Sequence, residues 1–90
     1  MIRSFRSKAL RLFVEKGDAS KLPVRNIDRV RRILARLDTV TTAADMNVPG
    51  FSFHGLKGVE RYSVRLSASW RITFSWRGED AVDVDLEDYH

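Results

Sequence analysis

Residues 61–77 read Arg-Tyr-Ser-Val-Arg-Leu-Ser-Ala-Ser-Trp-Arg-Ile-Thr-Phe-Ser-Trp-Arg, and this stretch decides the fold. Every even-numbered position is apolar, and every odd-numbered position is polar or basic. Because successive side chains of a β-strand point to opposite faces, a period of two predicts strand structure. We therefore expect a half-buried sheet that has one apolar face and one basic, open face.

The stretch is too long for one ordinary strand, and it can turn only at residues 67–69, Ser-Ala-Ser. A loop of these three residues keeps apolar side chains opposite apolar ones, whereas a two-residue loop would mix the faces. The resulting hairpin pairs Leu66 with Trp70 and Arg65 with Arg71. Two neighbouring guanidinium groups repel, so either an anion lies between them or both side chains extend into water.

The residues after this hairpin predict another strand. Val82, Val84 and Leu86 continue the even-numbered apolar pattern, and the same parity favours a three-residue loop at 78–80. The predicted pairs are Trp76 with Val82, Phe74 with Val84, Thr73 with Asp85, and Arg71 with Glu87.

The residues before the hairpin predict helices that cover the apolar face. Residues 1–5 are typical of an edge strand, and residues 8–16 of a short helix. Pro23, near a first helical position, opens a longer helix. The apolar stripe of this helix comprises Val24, Ile27, Val30, Ile33, Leu34 and Leu37. An antiparallel sheet with helices on one face gives an α+β fold.

The segment between this helix and the hairpin contains weaker patterns. Residues 38–48 predict a loop with one helical turn, because threonines favour caps over helix interiors. Residues 51–54 alternate and predict a strand in which Phe51 and Phe53 point inward and His54 points to the polar face.

Length and composition limit the class of protein. Ninety residues predict a single domain, residues 1–90, and the absence of cysteine excludes disulfides and thiolate metal sites. We also expect no metal at the two histidines. No apolar run is long enough for a signal peptide or a membrane span, so the expected location is the cytoplasm, with no membrane partner.

Positive charge is concentrated in the first part of the chain. Residues 1–37 contain 11 Lys and Arg against three acidic residues, whereas residues 38–90 contain five against nine. The predicted long helix places four arginines on the face opposite its apolar stripe, and such a line matches a phosphate backbone. The alternative is an ordinary solvated helix face. The candidate RNA-binding or ribosome-binding residues are Arg25, Arg29, Arg32 and Arg36, together with Arg65 on the hairpin.

The predicted register brings together groups that could cleave RNA. Such a site needs a base for the 2′-hydroxyl proton, an acid for the leaving oxygen and cations for the phosphate. Histidine suits the acid and base roles near neutral pH, and arginine and lysine suit the phosphate. The candidates are His54, Lys57, Arg71, Asp88, Tyr89 and His90. The alternatives are that His54 is a turn residue and that residues 88–90 are a frayed end.

Four motifs occur in order along the chain. They are residues 1–5 leading into Phe-Val-Glu-Lys-Gly at 13–17, His-x-Leu-Lys-Gly after position 53, Trp-Arg-Ile-Thr-Phe at 70–74, and Glu-Asp-Tyr-His at 87–90. This set resembles the HigB toxins of bacterial type II toxin–antitoxin pairs, which belong to the RelE group. The resemblance implies a compact RelE-like fold and a ribosome-dependent endoribonuclease that cuts translated mRNA. It also implies a HigA antitoxin with a helix-turn-helix DNA-binding domain.

The same resemblance implies roles for particular residues and partners. The family's functional positions match His54, Lys57, Arg71, Asp88, Tyr89 and His90. The implied chemistry is 2′-hydroxyl attack without metal or cofactor, and the implied partners are mRNA and the A site of the small ribosomal subunit. Operator DNA would be contacted only through the antitoxin. The alternative function is a non-catalytic RNA- or ribosome-binding protein that uses the arginine-rich helix and the hairpin as an electrostatic clamp.

Overall fold

Helices pack on one face of a four-stranded antiparallel sheet in the computed structural model, which describes residues 1–88. The strands lie in the order β1-β2-β3-β4. The α+β class is therefore confirmed, as is the single helical turn expected within residues 38–48. The elements are α1 (Lys8–Lys16), α2 (Ile27–Thr39), a 3₁₀ helix (Ala43–Met46), β1 (His54–Gly55), β2 (Arg61–Arg65), β3 (Trp70–Arg77) and β4 (Asp80–Asp88). None of the helices within residues 1–88 is long and apolar enough to cross a membrane.

Helix α1 has a side-chain cap at its start and a glycine at its end. The hydroxyl oxygen of Ser7 accepts a hydrogen bond from the Leu10 N–H at 3.1 Å, which satisfies one of the free donors of the first turn. Gly17 follows the helix in the left-handed conformation, with φ 67°. Glycine adopts this conformation without the steric cost of a Cβ, so the helix ends there.

The segment before α1 lies along the outer edge of β4. Ile2 and Phe5 form isolated parallel bridges with Ala81 and Val84. The predicted edge position of residues 1–5 is confirmed, but the segment makes two bridges instead of a continuous strand.

Helix α2 begins later than the sequence pattern predicts. Its cap is Asn26, whose side-chain oxygen accepts from the Arg29 N–H at 3.0 Å. The predicted start at Pro23 is wrong, because asparagine supplies an acceptor for the first turn that proline lacks. The buried residues of α2 are Val30, Ile33, Leu34 and Leu37, which confirms the predicted apolar stripe within the helix.

Strand β1 is shorter than expected. Residues 51–54 do not form a continuous strand, because Ser52 adopts φ 50°, a left-handed conformation that interrupts an extended chain. Phe51 and Phe53 nevertheless pack against the hydrophobic core. Their predicted inward orientation is confirmed, and β1 starts at His54.

The first hairpin, β2–β3, has the predicted register. Arg65 pairs with Arg71, and the Leu66 N–H donates to the carbonyl oxygen of Trp70 at 3.0 Å. Val64 pairs with Ile72, and both are fully buried. The period of two therefore predicted both the loop and the apolar face correctly.

The second hairpin, β3–β4, has a shorter loop than expected. Arg77 pairs with Asp80 and Trp76 with Ala81, so two residues, 78–79, form the loop. Gly78 has φ 63°, a conformation that tight two-residue hairpin loops favour. The predicted pair of Trp76 with Val82 is therefore wrong.

Strand β4 compensates for the short loop with a β-bulge. The register shifts between Thr73 and Ser75, and Asp83 adopts φ 52°. The predicted pair of Phe74 with Val84 falls in this interrupted part of the register. Beyond the bulge, the predicted pairs of Thr73 with Asp85 and of Arg71 with Glu87 are confirmed.

Aromatic side chains connect the strands on the apolar face. The ring centroids of Phe53 and Tyr62 lie 5.6 Å apart, and those of Tyr62 and Phe74 lie 5.8 Å apart. Each such contact stabilises by about 0.5–1.5 kcal/mol beyond burial. Because Phe53 immediately precedes His54, this row of rings fixes the short strand that carries the histidine.

Candidate functional site

The face of the sheet opposite the helices carries polar side chains in two cross-strand rows. The first row runs from β1 to β4 through His54, Ser63, Thr73 and Asp85. The second row contains Arg65, Arg71 and Glu87. Directly paired residues share a face, so His54 and Arg71 lie on one surface. Strand spacing places their Cα atoms roughly 12 Å apart, and a phosphodiester between them is within reach of both side chains.

His54 is exposed at the start of β1. Its Nδ1 lies 3.0 Å from the carbonyl oxygen of Ser52. A carbonyl oxygen only accepts hydrogen bonds, so in the neutral ring this contact places the hydrogen on Nδ1. Nε2 of His54 is then the proton acceptor of the ring.

Lys57 is exposed in the turn that joins β1 to β2. The next residue, Gly58, has φ 78°, which lets the chain reverse directly after the lysine. Lys57 remains a predicted phosphate contact of the site.

Arg65 and Arg71 form the cross-strand pair that the sequence predicts. Arg65 is exposed, and its Nε donates to the carbonyl oxygen of Ser67 at 3.3 Å. Arg71 is half-buried, and its cross-strand neighbour on β4 is Glu87. The acidic strand therefore supplies a negative charge next to this pair of cations.

Asp88 is the last described residue of β4, and it pairs with Trp70. It is exposed and lies one position beyond the pair of Arg71 with Glu87, on the side of the sheet that Trp70 faces and not on the side of Arg71. Tyr89 and His90, which the sequence also assigns to the site, lie outside the described residues.

Arg61 forms the centre of a hydrogen-bond network that sequence reasoning missed. Its guanidinium donates to Ser75 Oγ at 3.0 Å, to Thr73 Oγ1 at 2.9 Å and to the carbonyl oxygen of Asp83 at 2.8 Å. The Thr73 hydroxyl in turn donates to Glu87 Oε2. The sequence does contain a sign of this network, which is the presence of Thr73 and Ser75 in the middle of a sheet. Polar groups in such positions are normally hydrogen-bonded.

The guanidinium group of Arg61 is partly shielded from water. Burial, followed by repulsion from Arg6, lowers the pKa of Arg61 below its ordinary value. Three acidic residues act in the opposite direction: Glu87, Asp85 and Asp83. Two buried polar atoms of this region, Arg61 Nε and Ser63 Oγ, have no hydrogen-bond partner within the described part of the chain.

The arginines of the predicted basic stripe divide into two kinds. Arg29 donates to the carbonyl oxygens of Gly50 and Arg65, both at 2.6 Å. Arg36 Nε donates to the carbonyl oxygen of Asp45 at 2.9 Å. Both side chains thus fasten α2 to neighbouring loops, which the sequence pattern did not reveal.

The other two arginines of the stripe, Arg25 and Arg32, are exposed, as Arg36 also is. Arg32 lies on α2, whereas Arg25 precedes the helix, so the stripe is not a continuous line on one helix. Both remain predicted contacts for RNA or the ribosome.

The carboxylates of Asp83 and Asp85 on β4 accept hydrogen bonds from other groups of the protein. The carboxylate of Asp83 accepts from Ser4 Oγ at 3.5 Å, and that of Asp85 accepts from the Leu86 N–H at 2.9 Å. Within residues 1–88, no group of three or more His, Cys, Asp or Glu is placed to hold a metal ion.

The fold and this polar face define a small α+β protein with a proton acceptor and several cations on one open sheet surface, a combination suited to a phosphodiester. A family model described as the RelE-like toxin of type II toxin–antitoxin system HigB matches residues 3–90. The chain therefore belongs to the HigB-like toxin family, and a toxin of such a system has an antitoxin partner. The chain is also 39% identical to the Endoribonuclease HigB of Proteus vulgaris over 92 residues, which cover 100% of both chains.

Proposed function

We propose that this toxin is an endoribonuclease that cleaves mRNA on the translating ribosome and so stops protein synthesis and growth. The observation that supports the proposal is the strand pairing, in which His54, Arg71 and Glu87 share one polar face. Family membership and the name of the Proteus vulgaris relative support the same activity.

The geometry favours His54 as the general base. With its Nδ1 hydrogen directed at Ser52, its Nε2 takes the proton of the ribose 2′-hydroxyl. The 2′-oxygen then attacks the phosphorus of the adjacent phosphodiester, and the bond to the 5′-oxygen breaks. His90 in its cationic form gives a proton to that leaving oxygen, which yields a 2′,3′-cyclic phosphate and a 5′-hydroxyl. A later attack by water can open the cyclic product to a 3′-phosphate.

The remaining residues of the predicted site stabilise charge. Arg71 and Lys57 donate to the phosphate oxygens, where negative charge develops in the transition state. Tyr89 stacks on a base or donates to the phosphate, and Asp88 acts together with His90 when the leaving oxygen is protonated. No step requires a metal ion or a cofactor.

The proposed partners follow from this activity. The antitoxin is a HigA-like protein with a helix-turn-helix domain, and operator DNA is contacted only through it. The toxin acts in the cytoplasm at the A site of the small ribosomal subunit. Arg25, Arg32 and Arg65 are exposed and supply charge for RNA, while Arg29 and Arg36 add positive potential from their anchored positions.

The alternative of a non-catalytic RNA or ribosome binder is favoured by one observation, the exposure of Arg25 and Arg32 outside the candidate catalytic face. A cleavage assay separates the two functions. Purified toxin is added to ribosomes programmed with a defined mRNA, and the 5′ ends of the products are mapped.

The decisive variant is Arg71→Ala, with Arg77→Ala as its matched control. Both residues lie on β3 and face the same side, but Arg77 is exposed at the far end of the strand. We expect Arg71→Ala to lose cleavage by roughly a hundredfold or more, because it removes a phosphate contact, and Arg77→Ala to cleave like the unmodified toxin. Ribosome binding by the unmodified toxin without any cleavage would favour the alternative.

A further inference from the structure

Arg61 connects three strands of the polar face, and the proposed mechanism gives it no role. The residue lies on β2, and its guanidinium bonds Ser75 and Thr73 on β3 and the carbonyl oxygen of Asp83 on β4. Side chains on a polar face normally extend into water. Arg61 instead lies across the sheet and is half-buried.

The contact with Asp83 falls on the bulge, and the bulge decides which residues reach the candidate site. Counted from the two-residue loop without a bulge, Leu86 would lie opposite Arg71, and Glu87 would turn to the apolar face. The extra residue at Asp83 shifts the register by one, so that Glu87 lies opposite Arg71. The side that each residue at the end of β4 faces therefore depends on the bulge.

A second connection runs from Arg61 to Glu87 through one hydroxyl group. Thr73 Oγ1 accepts from Arg61 at 2.9 Å and donates its hydrogen to Glu87 Oε2. These directions use the single hydroxyl hydrogen of threonine consistently. Thr73 is fully buried, so water does not compete for these bonds.

We propose that Arg61 is a positioning residue for RNA cleavage, which holds the bulge at Asp83 and the carboxylate of Glu87 and so fixes the end of β4 against Arg71. The inference rests on the proposed endoribonuclease function. Arg61 acts through the sheet and does not touch the RNA. Its loss therefore lowers the rate of the chemical step and leaves the affinity for the ribosome unchanged.

The test compares Arg61→Met with Arg77→Met. Methionine retains an apolar stem and removes the guanidinium, and the control removes one exposed cation of the same polar face outside the proposed site. The maximal single-turnover rate on ribosome-bound mRNA and the ribosome affinity are measured separately. We expect Arg61→Met to lower the rate on the order of 10- to 100-fold at unchanged affinity, since small displacements of catalytic groups have effects of this size. Arg77→Met should change neither quantity.

A double variant tests whether Arg61 acts through Thr73. Thr73→Val keeps the shape of the side chain and removes the hydroxyl. If both residues position Glu87, the Arg61→Met/Thr73→Val double variant is no slower than the slower single variant by more than about twofold. Effects that multiply would show that Arg61 does not act through Thr73, and together with unchanged hydrogen exchange at residues 84–88 they would overturn the proposal.

Hydrogen exchange supplies a readout that does not depend on cleavage. Arg61→Met should raise exchange at the backbone amides of residues 84–88 while the amides of α2 keep their protection. Arg61→Lys is the milder variant if Arg61→Met fails to fold, and it should show the same local pattern with a smaller loss of rate. Uniform loss of protection in Arg61→Lys, or a wild-type cleavage rate in a folded variant, would overturn the positioning role. Failure of the unmodified toxin to cleave would overturn the proposed function, and the exchange pattern would still decide whether Arg61 positions β4.

Discussion

The two hairpins of the sheet share β3 but reach their register in different ways. The β2–β3 hairpin pairs without interruption from Arg61 with Ser75 to Arg65 with Arg71. The β3–β4 hairpin has a two-residue loop and takes its extra residue into the strand, at Asp83. Side-chain parity alone requires an odd number of residues between matched positions, and it is satisfied equally by a longer loop or by a bulge.

This difference determines which contacts fix the register of each hairpin. In β2–β3, apolar pairs such as Val64 with Ile72 lie fully buried and specify the register directly. In β3–β4, the bulge has contacts from outside the hairpin, since the Asp83 N–H donates to Ser4 Oγ at 2.9 Å and its carbonyl oxygen accepts from Arg61. The bulged hairpin therefore depends on polar contacts with distant parts of the chain.

The largest expected effect comes from the residue that both hairpins need. Phe74 is fully buried, pairs with Tyr62 in the first hairpin, and lies at the interrupted register of the second. Phe74→Ala should lower the free energy of unfolding by about 3–5 kcal/mol, because it removes core contacts and leaves a cavity. Chemical denaturation measures the change.

The matched control for Phe74→Ala is Phe51→Ala, which truncates a half-buried ring that packs on the same core outside the strands. It should cost clearly less. Equal costs for the two variants would show that the centre of the sheet is no more tightly packed than its margin.

A smaller loss of stability should distinguish two buried hydroxyl groups of the sheet, those of Ser63 and Thr73. Ser63 and Thr73 are cross-strand partners and both are fully buried. Thr73→Val leaves Arg61 and Glu87 without their shared hydroxyl and should cost about 1–3 kcal/mol. Ser63→Ala removes an oxygen that has no hydrogen-bond partner among residues 1–88, so it should be neutral within about 0.5 kcal/mol. A Ser63→Ala variant as unstable as Thr73→Val would mean that the Ser63 hydroxyl has a stabilising partner after all.

The sequence predicted those elements in which local pattern and burial agree. The period of two identified β2, β3 and their apolar face, and the spacing of Val30, Ile33 and Leu37 identified α2. It also placed His54 and Arg71 on the polar face, because parity fixes the side to which each residue points.

Three features that the sequence did not predict depend on distant contacts. Asp83 gives no local sign of a bulge, since its positive φ is supported by Ser4 and Arg61. Arg29 looked like one member of a phosphate-binding stripe, but two backbone carbonyls hold it. The sequence likewise predicts that Arg61 is an exposed cation of the polar face. An alternating pattern shows which face a side chain is on, but it does not show whether neighbouring side chains cover it.

The smallest effect concerns the turn end of the bulged hairpin, where the N-terminus meets Asp80. The carboxylate of Asp80 accepts from Arg3 Nε at 2.9 Å and lies 3.4 Å from the N-terminal ammonium group. The hydrogen bond from Arg3 is the main cause that lowers the pKa of Asp80 below its ordinary value of 3.8.

A depressed carboxyl pKa contributes stability that is present above the unfolded-state pKa and is lost as the pH falls through the folded-state pKa. The Asp80 contact should therefore add stability at neutral pH and lose it progressively once the pH falls below about 4. Asp80→Asn should be slightly less stable than the unmodified protein at pH 7, and the difference should vanish in acid, as measured by thermal unfolding across that range. Asp28→Asn, which removes an exposed carboxylate from a helical ion pair with Arg31, controls for the change in net charge. A difference between Asp80→Asn and the unmodified protein that stays constant down to pH 2 would show that the lost stability does not come from the charge of Asp80.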